Sequence, residues 1–206
     1  MEKIIPFKNE AEAIASLDNG GRFYNVFTKA NDDIITPQEV GKVAGVFFQP
    51  QQTILFLELA MSVLKEAEKT NLKTKFNVHL TEAYNKFKPR EITVPSAHLQ
   101  ELVGTNVVIT GVPALTESTT KLNGFILVPA GKAFTMIPII ESYDLYEIRN
   151  QQEDELFIIA HKKGKEKLPQ QYIRIGGVVK EVKTKKEENA SVNRFLEISY
   201  YVAETE

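Results

Sequence analysis

Apolar positions recur at steps of three and four through the first half of the chain, and at steps of two or in short unbroken runs through the second. The first pattern belongs to helices that bury one face and the second to strands. Asn9 is placed to cap a short Ala-rich helix ending at the Asp18-Asn19-Gly20-Gly21 turn, and Arg22 to Lys29 reads as a second short helix. Thr36-Pro37-Gln38-Glu39 is the sharpest local signal. Thr36 can accept from first-turn amides, Pro37 suits the first helical position, and Glu39 completes a capping box. The helix it starts carries Val40, Val43, Ala44, Phe47 and Phe48 and stops near Gln49-Pro50. Pro50 opens the next helix, over roughly residues 50–70, with Gln51, Glu58, Ser62, Lys65 and Lys69 as a narrow polar stripe. So thin a stripe predicts a central place in a helical bundle. Leu72, Phe76, Leu80, Tyr84 and Phe87 follow at amphipathic spacing up to Lys88-Pro89, and Ser96 to Val103 reads as a short last helix stopped by Gly104.

Beyond Gly104 the runs are β-branched and aromatic: Asn106–Thr110, Phe125–Val128, Phe134–Ile140, Tyr143–Arg149, Leu156–His161, Tyr172–Lys183 and Arg194–Val202. Pro129–Lys132, Asn150–Asp154, Lys162–Lys165 and Lys185–Ser191 are short enough to be hairpin turns. Gly176-Gly177, inside a long strand, reads as a bulge or a corner. The expected fold is therefore α+β. An all-helical N-terminal unit of about five helices spans residues 1–90, a connector with a short helix spans 91–104, and an antiparallel, barrel-like β meander of about seven strands spans 105–206. Residues 125–128, 137–140 and 156–160 are apolar on both sides, so those strands need cover on a second face. The helical half is the preferred cover over a partner subunit, with Pro89–Pro95 as the joint between docked halves.

Composition narrows the function classes. Of 206 residues, 43% are apolar and 25% charged, the net charge is -2, and the charge is nearly balanced in each half. A general polyanion binder would carry an excess of Lys and Arg. The absence of Cys removes disulfide frameworks, zinc knuckles and thiol catalysis. The start, Met1-Glu2-Lys3-Ile4-Ile5-Pro6, has no signal-peptide core, and Ile54–Leu64, interrupted by Glu58 and Ser62, falls short of the about 20 apolar residues that span a bilayer. A soluble, cytoplasmic protein with no membrane partner is expected.

Phe27 to Glu39 resembles the final part of an EF-hand loop. With Glu39 at the bidentate twelfth position, Asp32 takes the fifth, but the first and third become Thr28 and Ala30, and Asp33 stands where the turn needs Gly. Asp32, Asp33 and Glu39 are thus a degenerate cation set, and a capped helix–turn–helix is the preferred reading. Gly41 and Gly45 form a small-residue stripe suited to close helix packing. His79, His98 and His161 lie far apart, no nucleophile or phosphate-loop motif is present, and Glu153-Asp154-Glu155 reads as a solvated turn. Asn189-Ala190-Ser191 matches a glycosylation sequon only by chance in a chain without a secretory signal.

Alternation along the last strand sets Leu196, Ile198, Tyr200 and Val202 on a core face and turns Phe195 and Tyr201 away; Ile173 and Ile175 likewise leave Tyr172 and Arg174 opposite. Paired, the two strands would gather Tyr172, Arg174, Phe195 and Tyr201 on one face, with Lys163 and Lys165 adding charge from the adjacent turn. That is the composition of a base-stacking platform, diluted by Glu181 and Glu197. The leading expectation is a non-enzymatic binding or adaptor protein for a protein or small-molecule ligand, without a cofactor, and able to form a homo-oligomer. Single-stranded nucleic-acid binding through the aromatic and basic face is the first alternative. An enzyme whose site assembles only in the fold is the second.

Overall fold

The computed structural model describes residues 2–20, 29–116, 125–130, 133–138, 143–149, 156–183 and 192–203. The Arg22–Lys29 helix, the Glu153-Asp154-Glu155 cluster, the Asn189 sequon and the Lys185–Ser191 turn fall almost wholly outside these residues. The chain divides into two compact units, Lys3–Pro89 and Met1–Glu2 with Arg90–Glu206. Among the described residues no helix is long and apolar enough to cross a membrane.

After a two-residue strand β1 (Glu2–Lys3), the described residues of the first unit form five helices: α1 (Glu10–Leu17), α2 (Pro37–Ala44), α3 (Pro50–Ala60), α4 (Glu66–Thr74) and α5 (Val78–Phe87). α3 packs on α2 and α5, and α1 packs on α4 and α2. Thr53 to Leu57, Leu59 and Ala60 are buried on α3, which is the central helix its thin polar stripe suggests. Three boundaries differ from the periodic pattern. α2 stops at Gly45, whose left-handed backbone (φ 67°) caps it, so Phe47 and Phe48 lie beyond the helix and are exposed. The run from 50 to 70 breaks at Met61–Lys65, where the Lys65 amide donates to Glu68 Oε2 at 2.9 Å and starts a new helix. The run through Tyr84 breaks at Asn77, whose side chain accepts from the Leu80 amide at 2.8 Å. A local cap can restart a helix without disturbing the apolar spacing. Gly41 serves a close approach within its own helix-loop turn, since a Cβ there would stand 2.6 Å from the Val46 carbonyl oxygen.

The second unit is a mixed sheet built from β2 (Arg90–Ile92), β3 (Asn106–Gly111), β4 (Ala114–Leu115), β5 (Phe125–Ala130), β6 (Ala133–Pro138), β7 (Tyr143–Arg149), β8 (Leu156–Lys162), β9 (Ile173–Lys183) and β10 (Val192–Ala203). Its main path runs β2-β3-β9-β10-β8-β7-β4 and, among the described residues, is not closed, while β5 and β6 form a hairpin that meets β9 at Phe125 and Lys183. Two short 3-10 turns, Pro95–His98 and Gln100–Leu102, stand where one helix was expected. The antiparallel meander is corrected to a mixed sheet: β10 pairs with β8, and β2 with β3, in parallel, while the β9–β10, β3–β9, β4–β7, β5–β6 and β7–β8 pairings are antiparallel. β10 lies between β8 and β9, so the Lys162–Tyr172 segment is a crossover and not a hairpin turn. β3 and β4, separated only by Val112-Pro113, bond to β9 and to β7 respectively.

One face of this sheet is the core of the unit, with Val107, Ile109, Tyr146, Ile148, Phe157 and Ile159 among its buried side chains. Ile173, Ile175, Val179, Leu196, Ile198 and Tyr201 complete it from β9 and β10. The opposite face carries a smaller buried cluster of Tyr143, Leu145, Ala160 and Phe195, with Ile158 packed against it. The run at 156–160 is apolar on both sides because it serves both clusters.

Candidate functional site

The aromatic and basic residues that alternation assigns to a common face are separated by an irregularity in β10. The β9–β10 register shifts between Ile198 and Tyr200, so one extra residue, Ser199, reverses the alternation beyond it. Leu196, Ile198 and Tyr201 therefore share the core face, while Phe195 enters the cluster on the other side. Phe195 is 0% exposed and Tyr201 6%, and neither presents a ring to solvent. This corrects the four-residue platform. Gly176 and Gly177 lie opposite the shift, with the irregularity itself on the partner strand. A Cβ on Gly177 would stand 2.3 Å from the Glu197 carbonyl oxygen, which explains the glycine as a close approach of two backbones. Arg174 is mostly buried and ion-paired with Glu91 on β2.

What remains accessible comes from the β8–β9 crossover. Lys162, Lys163, Lys165 and Lys167 are exposed, and Tyr172, at its far end, is 46% exposed. Leu168 is buried in the core of the unit, and its amide donates to the Tyr146 hydroxyl at 3.2 Å. The crossover is thus pinned at its middle while its lysines stand in water.

Lys162 also belongs to a polar group on the second face that alternation did not reveal. Tyr143 is its register partner across β7 and β8, and Lys180 is the partner of Phe195 across β9 and β10. Glu197, two residues along from Phe195, lies among them. Lys180 Nζ is 2.9 Å from Glu197 Oε2, Lys162 Nζ is 3.8 Å from Oε1, and the Tyr143 hydroxyl donates to Oε1 at 2.7 Å. Burial pushes the Tyr143 hydroxyl well above its ordinary range, and its bond to Glu197 adds to the effect. Burial also disfavours the Glu197 charge, but hydrogen bonds from Lys180 and Tyr143 outweigh it and hold the carboxyl below the usual range. On the sequence alone Glu197 reads only as dilution of a basic face. The signal that could have found it is its position two residues beyond Phe195, on the same side of β10.

The EF-hand-like residues have other work. Glu39 is fully buried at the start of α2, where Oε1 accepts from the Gly20 amide at 2.7 Å. Its Oε2 accepts from the Thr36 amide at 2.8 Å and the Thr36 hydroxyl at 2.9 Å. Asp18, not singled out in the sequence, closes the loop: its carboxylate accepts from the Asp32 amide at 3.2 Å and the Asp33 amide at 2.8 Å. Asp33 pairs with Lys75, and the Asp32 side chain accepts from the Ile34 amide at 3.2 Å. Among the described residues no three His, Asp or Glu side chains gather into a group able to hold a metal ion. His79 is exposed on α5, and His161 is fully buried in the β unit.

No family model matches the chain, and no curated protein matches it. Among solved structures, the chain is similar to a putative aspartyl-tRNA synthetase from Leishmania major Friedlin, at 11% identity and a TM-score of 0.34. The likeness covers 56% of this chain and 21% of that one, so the chain spans about a fifth of that protein's length. It is also similar to the N-terminal domain of an archaeal MCM, at 9% identity and a TM-score of 0.38, over 84% of this chain and 86% of that one. Likeness at this level establishes neither family nor activity.

Proposed function

We propose that this chain is a non-enzymatic binding protein whose β unit curls toward a barrel and takes single-stranded nucleic acid through the Lys162–Tyr172 crossover. One observation carries the reading: four exposed lysines and a half-exposed tyrosine stand on a single segment anchored by Leu168. Phosphates are met by cations and unpaired bases by an aromatic face, and neither needs a deep pocket. The net charge of -2 does not oppose this, because Glu166 is the only acid among the residues from 162 to 172. Curling is supported by the segment Asn106–Leu115, which bonds to β9 with its first part and to β7 with its last. A segment paired with both ends of the path β9-β10-β8-β7 bends that path back on itself, and partly open Greek-key barrels of about five strands commonly bind oligonucleotides. The cytoplasm is the proposed location, and a chain without cysteine is compatible with it.

Fluorescence anisotropy with a labelled oligothymidine tests it. The wild-type chain should bind at low salt and lose affinity as salt rises. The Lys163→Glu, Lys165→Glu double variant should bind far more weakly, and Tyr172→Ala should lose about 1–3 kcal/mol if one base stacks there. Absence of salt-sensitive binding at micromolar protein would overturn the proposal.

A further inference from the structure

On the second face of the β unit, two cations that could meet a phosphate are already engaged by the protein's own carboxylate. The apolar floor formed by Leu145, Ile158, Ala160 and Phe195 supports a polar group made by Tyr143, Lys162, Lys180 and Glu197. The Glu197 side chain is 17% exposed, against 65% for Lys162 and 40% for Lys180. The carboxylate therefore sits low, and the two ammonium groups reach it from the solvent side. The Tyr143 hydroxyl holds it in place from β7. Lys162 is also the first residue of the basic crossover, so this face continues the stripe of lysines along which the proposed ligand would run.

We infer that Glu197 is a built-in competitor of the ligand, and so sets which anions this face accepts. The inference rests on the nucleic-acid reading above. Carboxylate and phosphate oxygens are interchangeable acceptors for an ammonium group, and a lysine on a flexible stem can turn from one to the other. A strand bound along the crossover extends a phosphate over the face and exchanges with Glu197 for Lys162 and Lys180. A lone anion has no second attachment and must displace the carboxylate at full cost, whereas a polymer already held next to it competes at high local concentration. Glu197 thus favours chains of phosphates over single ones. Because each lysine exchanges one anion for another, the two release few counterions and add little to the salt dependence of wild-type binding.

Glu197→Gln keeps the shape and an acceptor for Tyr143 while removing the charge. Anisotropy with labelled oligothymidine should then give tighter binding than wild type, and a salt slope steeper by about 0.7 for each freed lysine, or about 1.4 for both. Between about 50 and about 200 mM salt the advantage over wild type should shrink about sevenfold. Adding Lys162→Ala and Lys180→Ala to the Gln variant should abolish the gain. Glu197→Ala is the second variant, should the Gln form fail to fold. A folded variant at Glu197 with wild-type affinity and slope would overturn the inference, as would a gain that survives loss of both lysines. If wild type and variant alike leave the oligonucleotide unbound at low salt, the nucleic-acid reading fails instead.

Discussion

Full burial without a hydrogen-bond partner among the described residues disfavours a charged imidazole, and His161 is in that position. It is fully buried on β8, and neither ring nitrogen has a partner among the described residues. Burial lowers its pKa, partly countered by Asp144, its register partner on β7. With the folded-state value below the unfolded one, the unfolded chain takes up a proton first as pH falls. Stability is therefore undiminished above the ordinary histidine range and is lost as pH drops from that range toward the folded-state value. Thermal melts across mildly acidic pH should show this loss in the wild type and not in His161→Phe, which should also be no less stable at neutral pH. Parallel pH profiles would contradict the assignment. At Gly177 the expected effect is steric: Ala there should cost about 1–3 kcal/mol, read by urea unfolding, because the obstructing atoms are Glu197 backbone and cannot swing aside. Glu197 itself illustrates the limit of residue-level reading. Its side of the strand was readable from alternation with Phe195, but the lysines and tyrosine that surround it come from three other strands.

At the scale of the element, the capping box at α2 was readable because all of its parts lie within four residues. Thr36 Oγ1 accepts from the Glu39 amide at 3.3 Å, and Glu39 accepts in return from the Thr36 amide. Its bond to the Gly20 amide was not readable, since it joins positions 19 apart across a turn. A buried and an exposed capping side chain should therefore differ in worth. Glu39→Ala leaves buried donors without an acceptor and should cost about 2–4 kcal/mol, whereas Asn9→Ala removes an exposed cap on α1 and should cost about 1 kcal/mol. Chemical denaturation of both variants checks the order, and equal losses would count against a buried role for Glu39. The breaks between α3, α4 and α5 show the same division. Apolar spacing continues through them, and Glu68 and Asn77 interrupt it by short-range bonds that periodicity does not register.

At the scale of the molecule, the decisive feature is the place of β10 between β9 and a parallel β8. Phe195, Leu196 and Glu197 are paired on both sides, so their amides should be among the slowest to exchange hydrogen in the β unit, slower than those of the three-residue β2. Exchange followed by mass spectrometry or NMR checks this, and rapid exchange at 195–197 would refute the strand order. The mixture of helices and strands, the Thr36 cap and the core face of β10 as far as Ile198 followed from the sequence alone. They depend on bonds and side-chain directions that repeat within a few residues. Strand order, the parallel pairing of β8 with β10, the shift that separates Phe195 from Tyr201, and the meeting of Glu197 with Lys162 and Lys180 were decided only by the tertiary structure. Each depends on which distant backbone lies alongside, and one extra residue in a ladder is enough to send every later side chain to the other face.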